Sequence, residues 1–185
     1  MTVERRKVGW LVSAILVSAC ASTPSSLSRL DSGGLTVVTL SDAVLLARPV
    51  PTLAAGARDY AYIGPVEINR MGDRRHYFWV ALASTVDRAR TGLAPANAVA
   101  LMLVADDARM TFPLSEWTMD FDVSPYASTT PIYATLAASA SLDQIRRIAR
   151  ANSVEVRIVD DRGATARYRH WQGAWTDWAA FPGGG

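Results

Sequence analysis

Along most of the chain apolar positions recur with a period of two or in short unbroken runs, and one stretch alone clearly follows a helical period. Leu35–Leu40 (LTVVTL) and Ala43–Val50 (AVLLARPV) are β-branched or leucine-rich. With Pro49 and Pro51 as punctuation they read as two strands near a sheet edge, where a missing N–H is tolerated. Asp59–Ile68 (DYAYIGPVEI) and His76–Val86 (HYFWVALASTV) flank NRMGDRR. Asn69 and Gly72 supply turn chemistry there, so a long hairpin is expected, with Gly64-Pro65 as a bulge or kink in its first arm. Ala98–Ala105 and Ala108–Leu114 are separated by Asp106-Asp107, the loop length of a tight hairpin. Pro131–Ser139 reads as a further strand, and Ser153–Asp161 with Ala164–Trp171 alternates strongly enough to predict a final hairpin.

Between these last elements the period changes. Ser141–Ala151 (SLDQIRRIARA) opens with Ser141 and Gln144 at capping-box spacing and gathers Leu142, Ile145, Ile148 and Ala149 on one face, against Arg146, Arg147 and Arg150 on the other. After the final hairpin, Trp171, Trp175, Trp178 and Phe181 are spaced by four, three and three, which predicts a short C-terminal helix burying its aromatics. The expected fold is mainly β (α+β): a two-layer, sandwich-like pair of antiparallel sheets of about eight strands, one inserted amphipathic helix and a short C-terminal helix.

The N-terminus follows a different logic. Arg5, Arg6 and Lys7 precede Val8–Val17 (VGWLVSAILV), an apolar run too short to span a bilayer, which takes about 20 residues. A cationic head, a short hydrophobic middle and a small-residue exit are the layout of a secretory signal. The run closes on Val17-Ser18-Ala19-Cys20, which resembles the lipobox of bacterial lipoproteins. The resemblance implies that the Cys20 thiol accepts a diacylglyceryl group, that a dedicated signal peptidase cuts between Ala19 and Cys20, and that Cys20 becomes the first mature residue. A thiol suits this role because its thiolate is a strong nucleophile at modest pKa. Ala21, where aspartate would retain such a protein in the inner membrane, points to the outer membrane, facing the periplasm. The expected organisation is a signal peptide over 1–19, a lipidated flexible tether over 20–34 and a single β-rich periplasmic domain over 35–185.

Charge and composition narrow the function. After Cys20, 16 arginines face 16 carboxylates and lysine is absent, so the basic balance of the whole chain belongs to its first residues. A neutral domain argues against a nucleic-acid partner. With Cys20 acylated no thiol remains, and the core must hold without disulfides.

Catalytic chemistry leaves no recognisable signature. The two histidines, His76 and His170, read as strand residues, and no nucleophile-elbow, zincin, Walker or dinucleotide motif occurs. Asp106-Asp107 and Asp160-Asp161 fall at turns, where aspartate serves the backbone, and Asp120 and Asp122 suit the exposed face of a strand. No catalytic residue, metal site or cofactor is expected. One cluster invites a ligand: Arg167, Tyr168, Arg169, His170, Trp171 and Trp175 would let a sugar ring stack on aromatics while arginines bind hydroxyls or carboxylates, or else the tryptophans anchor the core. The strip Tyr60, Tyr62, Tyr77 and Trp79 poses the same choice. The expected role is a non-enzymatic scaffold, assembly or accessory subunit, held to the membrane through acylated Cys20 and contacting envelope proteins. The alternative is a binding module for peptidoglycan or another envelope glycan.

Overall fold

Among the described residues the alternating runs become eleven strands: β1 (Leu27–Ser32), β2 (Leu35–Leu40), β3 (Val44–Pro49), β4 (Arg58–Arg70), β5 (Asp73–Ser84), β6 (Ala98–Ala105), β7 (Ala108–Pro113), β8 (Ser115–Glu116), β9 (Ile132–Ala140), β10 (Val154–Asp160) and β11 (Thr165–Gln172). Helix α1 (Leu142–Arg150) lies between β9 and β10, and a 3-10 helix (Trp175–Ala180) closes the chain. The computed structural model describes residues 27–32, 34–87, 97–118 and 124–182. The signal peptide, the lipobox with Ala19 and Cys20, most of the tether, Asp120, Asp122 and the terminal glycines lie outside the described residues. Among the described residues no helix is long and apolar enough to cross a membrane.

The fold is mainly β and antiparallel, but its layout differs from two stacked sheets. The strands hydrogen-bond along one path, β7-β6-β10-β11-β3-β4-β5-β9-β8, with β2 on both β1 and β4, and the sheet curls until it nearly closes into a barrel. A few residues account for the near closure. Pro113 ends β7; Leu114 N–H donates to Val99 O on the β6 side at 2.9 Å, and Trp117 N–H donates to Thr135 O on β9 at 3.1 Å. One short segment therefore serves both ends of the sheet, which removes edges that would otherwise invite foreign strands.

A second difference lies in the tether. Its serines predict a linker, yet Leu27–Ser32 pairs with β2 over its whole length, from Leu27↔Leu40 to Ser32↔Leu35. Composition misled here because β2 uses one edge on β4 and leaves the other for any extended segment that reaches it.

The long hairpin forms as expected, closed by Met71 and Gly72 at φ +51° and +96°, with Asn69 Oδ1 accepting from Gly72 N–H at 2.9 Å. β5 runs beside β4 along its length, whereas the opposite edge of β4 is shared: Arg58–Ile63 pairs with β3 and Val66–Arg70 with β2. Gly64-Pro65 sits at the seam between them. There the Tyr126 hydroxyl donates to Pro65 O at 2.6 Å and accepts from Leu40 N–H at 3.3 Å, joining two strands that the ladder no longer connects. A Cβ at Gly64 would lie 2.3 Å from the Tyr126 ring, so glycine is required for that ring to reach the backbone. Burial pushes the Tyr126 phenol far above its ordinary pKa, and the hydroxyl stays a donor at any working pH.

Inside the barrel, Leu46, Ile63, Phe78, Val80, Leu101, Leu103, Val156 and Ile158 are fully or almost fully buried. Phe78 meets Phe112 across the lumen, edge to face with centroids 5.0 Å apart, and Trp178 stacks on Phe78 at 5.5 Å. Ile145, Ile148 and Ala149 of α1 complete this plug. The helix begins as its sequence dictates: Ser141 Oγ accepts from Gln144 N–H at 3.2 Å and Gln144 Oε1 accepts from Ser141 N–H at 2.8 Å.

Candidate functional site: a basic outer face

Strand alternation divides the C-terminal cluster. On β11 Tyr168 points into the lumen and is buried, with the Arg48 guanidinium 5.5 Å from its ring centre. Arg48 in turn binds the buried Asp59 carboxylate at 2.8 Å. Burial pulls the Arg48 pKa down, but Tyr168 and Asp59 outweigh it and the net displacement is upward. His170 is exposed and its Nε2 donates to the Gly173 carbonyl at 2.6 Å, within its own strand end. Trp175 is half-buried in the 3-10 helix, edge-on to Trp178 at 4.9 Å. Tyr168, His170 and Trp175 are thus not on the platform that the sequence suggested. Arg167, Arg169 and Trp171 remain together and exposed, and Trp171, expected to be buried with its neighbours, is 53% exposed.

Neighbouring strands enlarge this exposed group. Arg58 of β4 lays its guanidinium 4.9 Å from the Trp171 ring centre, a cation–π contact that spans β3, the strand between them. Arg157 of β10 is the direct cross-strand partner of Arg167, and Arg109 of β7 lies opposite Val104 two strands away. Like charges directly opposite one another destabilise a sheet. Glu155 offsets this pair: it accepts from Arg157 Nε and from Arg167 Nη2, the latter at 2.7 Å. The Arg157 hydrogen bond, against a smaller effect of burial and with help from the charges of Arg157, Arg167 and Arg109, holds the Glu155 carboxyl below its ordinary pKa. The outward positions of β7, β6, β10, β11, β3 and the start of β4 carry five arginines and this one carboxylate. At about 4.8 Å per strand the belt extends about 24 Å around the barrel.

Sequence reasoning found three members of this belt and missed Arg58, Arg109, Arg157 and Glu155. The polar positions of Glu155 and Arg157 in VEVRIV and of Arg109 in ARMTF marked these three as outward; only strand order brings them and Arg58 beside β11.

The other candidates have local roles. Asp106, at φ +51°, accepts from Asn152 N–H and Ser153 N–H at 3.1 and 3.0 Å, and Asp160 accepts from Arg162 and Ala164 N–H at 3.0 and 2.7 Å. His76 Nε2 lies 3.2 Å from Glu67 Oε2, its cross-strand partner, beneath the edge of Phe181. Among the described residues no group of three or more His, Cys, Asp or Glu side chains converges.

Fold and site together define a nearly closed antiparallel barrel, plugged by helices, that exposes a basic, tryptophan-bearing face. Compared with protein-family models, with curated proteins and with solved structures, the chain finds no match.

Proposed function

We propose that this protein is a non-enzymatic module of the bacterial cell envelope, lipid-anchored through Cys20 at the periplasmic side of the outer membrane, that holds an anionic envelope glycan such as peptidoglycan on its basic face. The observation that carries the reading is one outer face that gathers Arg157, Arg167 and Arg169 and ends on an exposed Trp171 under Arg58. Glu155 satisfies only part of the donor capacity of the Arg157 and Arg167 guanidinium groups, and an anionic ligand would take up the rest together with Arg169. An exposed indole provides a flat surface for a sugar ring, and guanidinium groups bind carboxylates through paired N–H donors. Such a module serves as a scaffold or accessory subunit, fixing one envelope layer to another.

The test is co-sedimentation of the full chain with purified cell-wall sacculi. Trp171→Ala combined with Arg169→Ala should lower the bound fraction about tenfold, a loss of about 1.4 kcal/mol, with unchanged circular dichroism. Retained binding, or no binding by the unaltered protein, rejects the glycan reading. Cys20→Ala should move the folded protein from the membrane to the soluble fraction; an unchanged membrane fraction rejects the anchor.

A further inference from the structure

β1 lies off the main strand path and has a single neighbour, β2, among the described residues. Its leucines Leu27 and Leu30 are 49% and 43% exposed. Edge strands of this kind are normally blocked by charge, proline or a bulge. Leu27–Ser32 has no proline and no bulge, and its two charges, Arg29 and Asp31, are of opposite sign, so they disfavour a foreign strand but complement a second copy of the same one.

We propose that β1 pairs edge to edge with β1 of a second copy of this chain, antiparallel and centred on Leu30. The register follows from hydrogen-bond geometry and charge. Ser32 and Leu35 close a hairpin with a two-residue loop, and such closing pairs exchange both hydrogen bonds. The alternation then turns the N–H and C=O of Ser28, Leu30 and Ser32 toward β2, leaving those of Leu27, Arg29 and Asp31 directed out of the sheet. A two-fold pairing must set these outward residues opposite one another, which allows centres on Ser28, Arg29, Leu30 or Asp31. The centres on Arg29 and on Asp31 each oppose two like charges. The centre on Ser28 sets Arg29 against Leu27 and leaves Asp31 beyond the partner strand. The centre on Leu30 places Arg29 opposite Asp31 of the other copy twice and brings the two Leu30 side chains together. Within one chain Arg29 Nε already reaches Asp31 Oδ2 at 3.1 Å, and Thr36 Oγ1 donates to Asp31 at 2.5 Å, so the charges are held on one face of the edge. Self-pairing joins them in a four-charge network.

Six-residue strands bury less than the roughly 800 Å² per partner of a standard interface. The pairing is therefore weak in dilute solution and strengthens when copies are concentrated, as two molecules anchored in one membrane would be. This pairing is independent of the glycan reading, since β1 joins through β2 to the Val66–Arg70 end of β4, whereas the basic face reaches only Arg58 at the strand's other end.

A disulfide trap tests it. The full chain carrying Cys20→Ser and Leu30→Cys has one thiol. In the proposed register the two positions 30 form a non-hydrogen-bonded pair with Cα atoms about 4.5 Å apart, within disulfide reach. Oxidation at high micromolar concentration should give a covalent dimer on a non-reducing gel. Adding Arg29→Asp should lower its yield about tenfold, and adding Asp31→Arg as well should restore it. Arg29→Pro, which deletes an outward N–H and leaves the ladder to β2 intact, should also lower the yield. A thiol at 30 that stays monomeric, a dimer indifferent to the charge changes, or an adduct with a different protein would each overturn the proposal.

Discussion

The outer face of one sheet is roofed over β4 and β5 and bare over β10 and β11. On the roofed side Tyr60, Tyr62, Tyr77 and Trp79 share a face, and the segment leading into β9 crosses above them: Tyr126 lies against Trp79 at 5.5 Å, Trp117 meets Tyr77 edge-on, and the Tyr62 hydroxyl sits 3.3 Å from Thr129 Oγ1. Burial pushes the Tyr62 phenol up, yet the surrounding Ser128, Thr129 and Thr130 hydroxyls outweigh it and draw its pKa down. On the bare side the corresponding positions are arginines, and Trp171 has a guanidinium above it instead of a protein roof. Alternation decides which side of the sheet a residue occupies; a crossing segment decides whether that side is core or surface. Two tryptophans expose the contrast. Trp79→Ala should cost about 4 kcal/mol in urea denaturation, since Trp79 is 0% exposed, whereas Trp171→Ala should cost under about 1 kcal/mol. Equal losses would mean that the bare face is packed in solution.

The roof itself can be lifted. Gly64→Ala forces the Tyr126 ring off the seam, and the overpacking together with two lost hydrogen bonds should cost about 3 kcal/mol. Tyr126→Phe keeps the ring and removes only the bridge, for about 1 kcal/mol, read from the same denaturation curves. If the phenylalanine variant lost as much as the alanine variant, the hydroxyl bridge and not the close approach would hold the roof in place.

Which parts of this were legible in the sequence follows from the range of each interaction. Leu35–Leu40, the two-residue turn at Asp106-Asp107 and the Ser141–Gln144 cap depend on neighbours a few residues away, and each forms where the residues dictate. Gly64-Pro65 suggested a bulge or kink, yet the register with β5 runs unbroken through it; what the pair marks is the seam that Tyr126 bridges, and Tyr126 lies 61 residues from Pro65. The layout was lost for the same reason: a sandwich and a closing barrel share their strand pattern and differ in whether a segment like Pro113–Trp117 joins the sheet's ends. In the C-terminal cluster, helical spacing of the tryptophans suggested one buried face, but Trp171 belongs to a strand and Trp175 to the helix that follows it. The basic belt needed the order β7-β6-β10-β11-β3-β4, which no local pattern contains.

The smallest expected effect separates the two faces most sharply. Glu155 has its folded pKa lowered, so its contribution to stability is fully present above its unfolded value of about 4.3 and is lost as pH falls through the folded value. Glu155→Gln should therefore lower the denaturation midpoint slightly at neutral pH, and the gap from the unaltered protein should close as the pH drops below 4. The same substitution leaves Arg157 and Arg167 opposed with no carboxylate between them. If the belt exists to take an anionic ligand, binding to sacculi at neutral pH should strengthen while stability falls, because the ligand then replaces the missing charge. Had the arginines served only the fold, as the aromatics of the roofed face do, stability and binding would move together or binding would not respond at all.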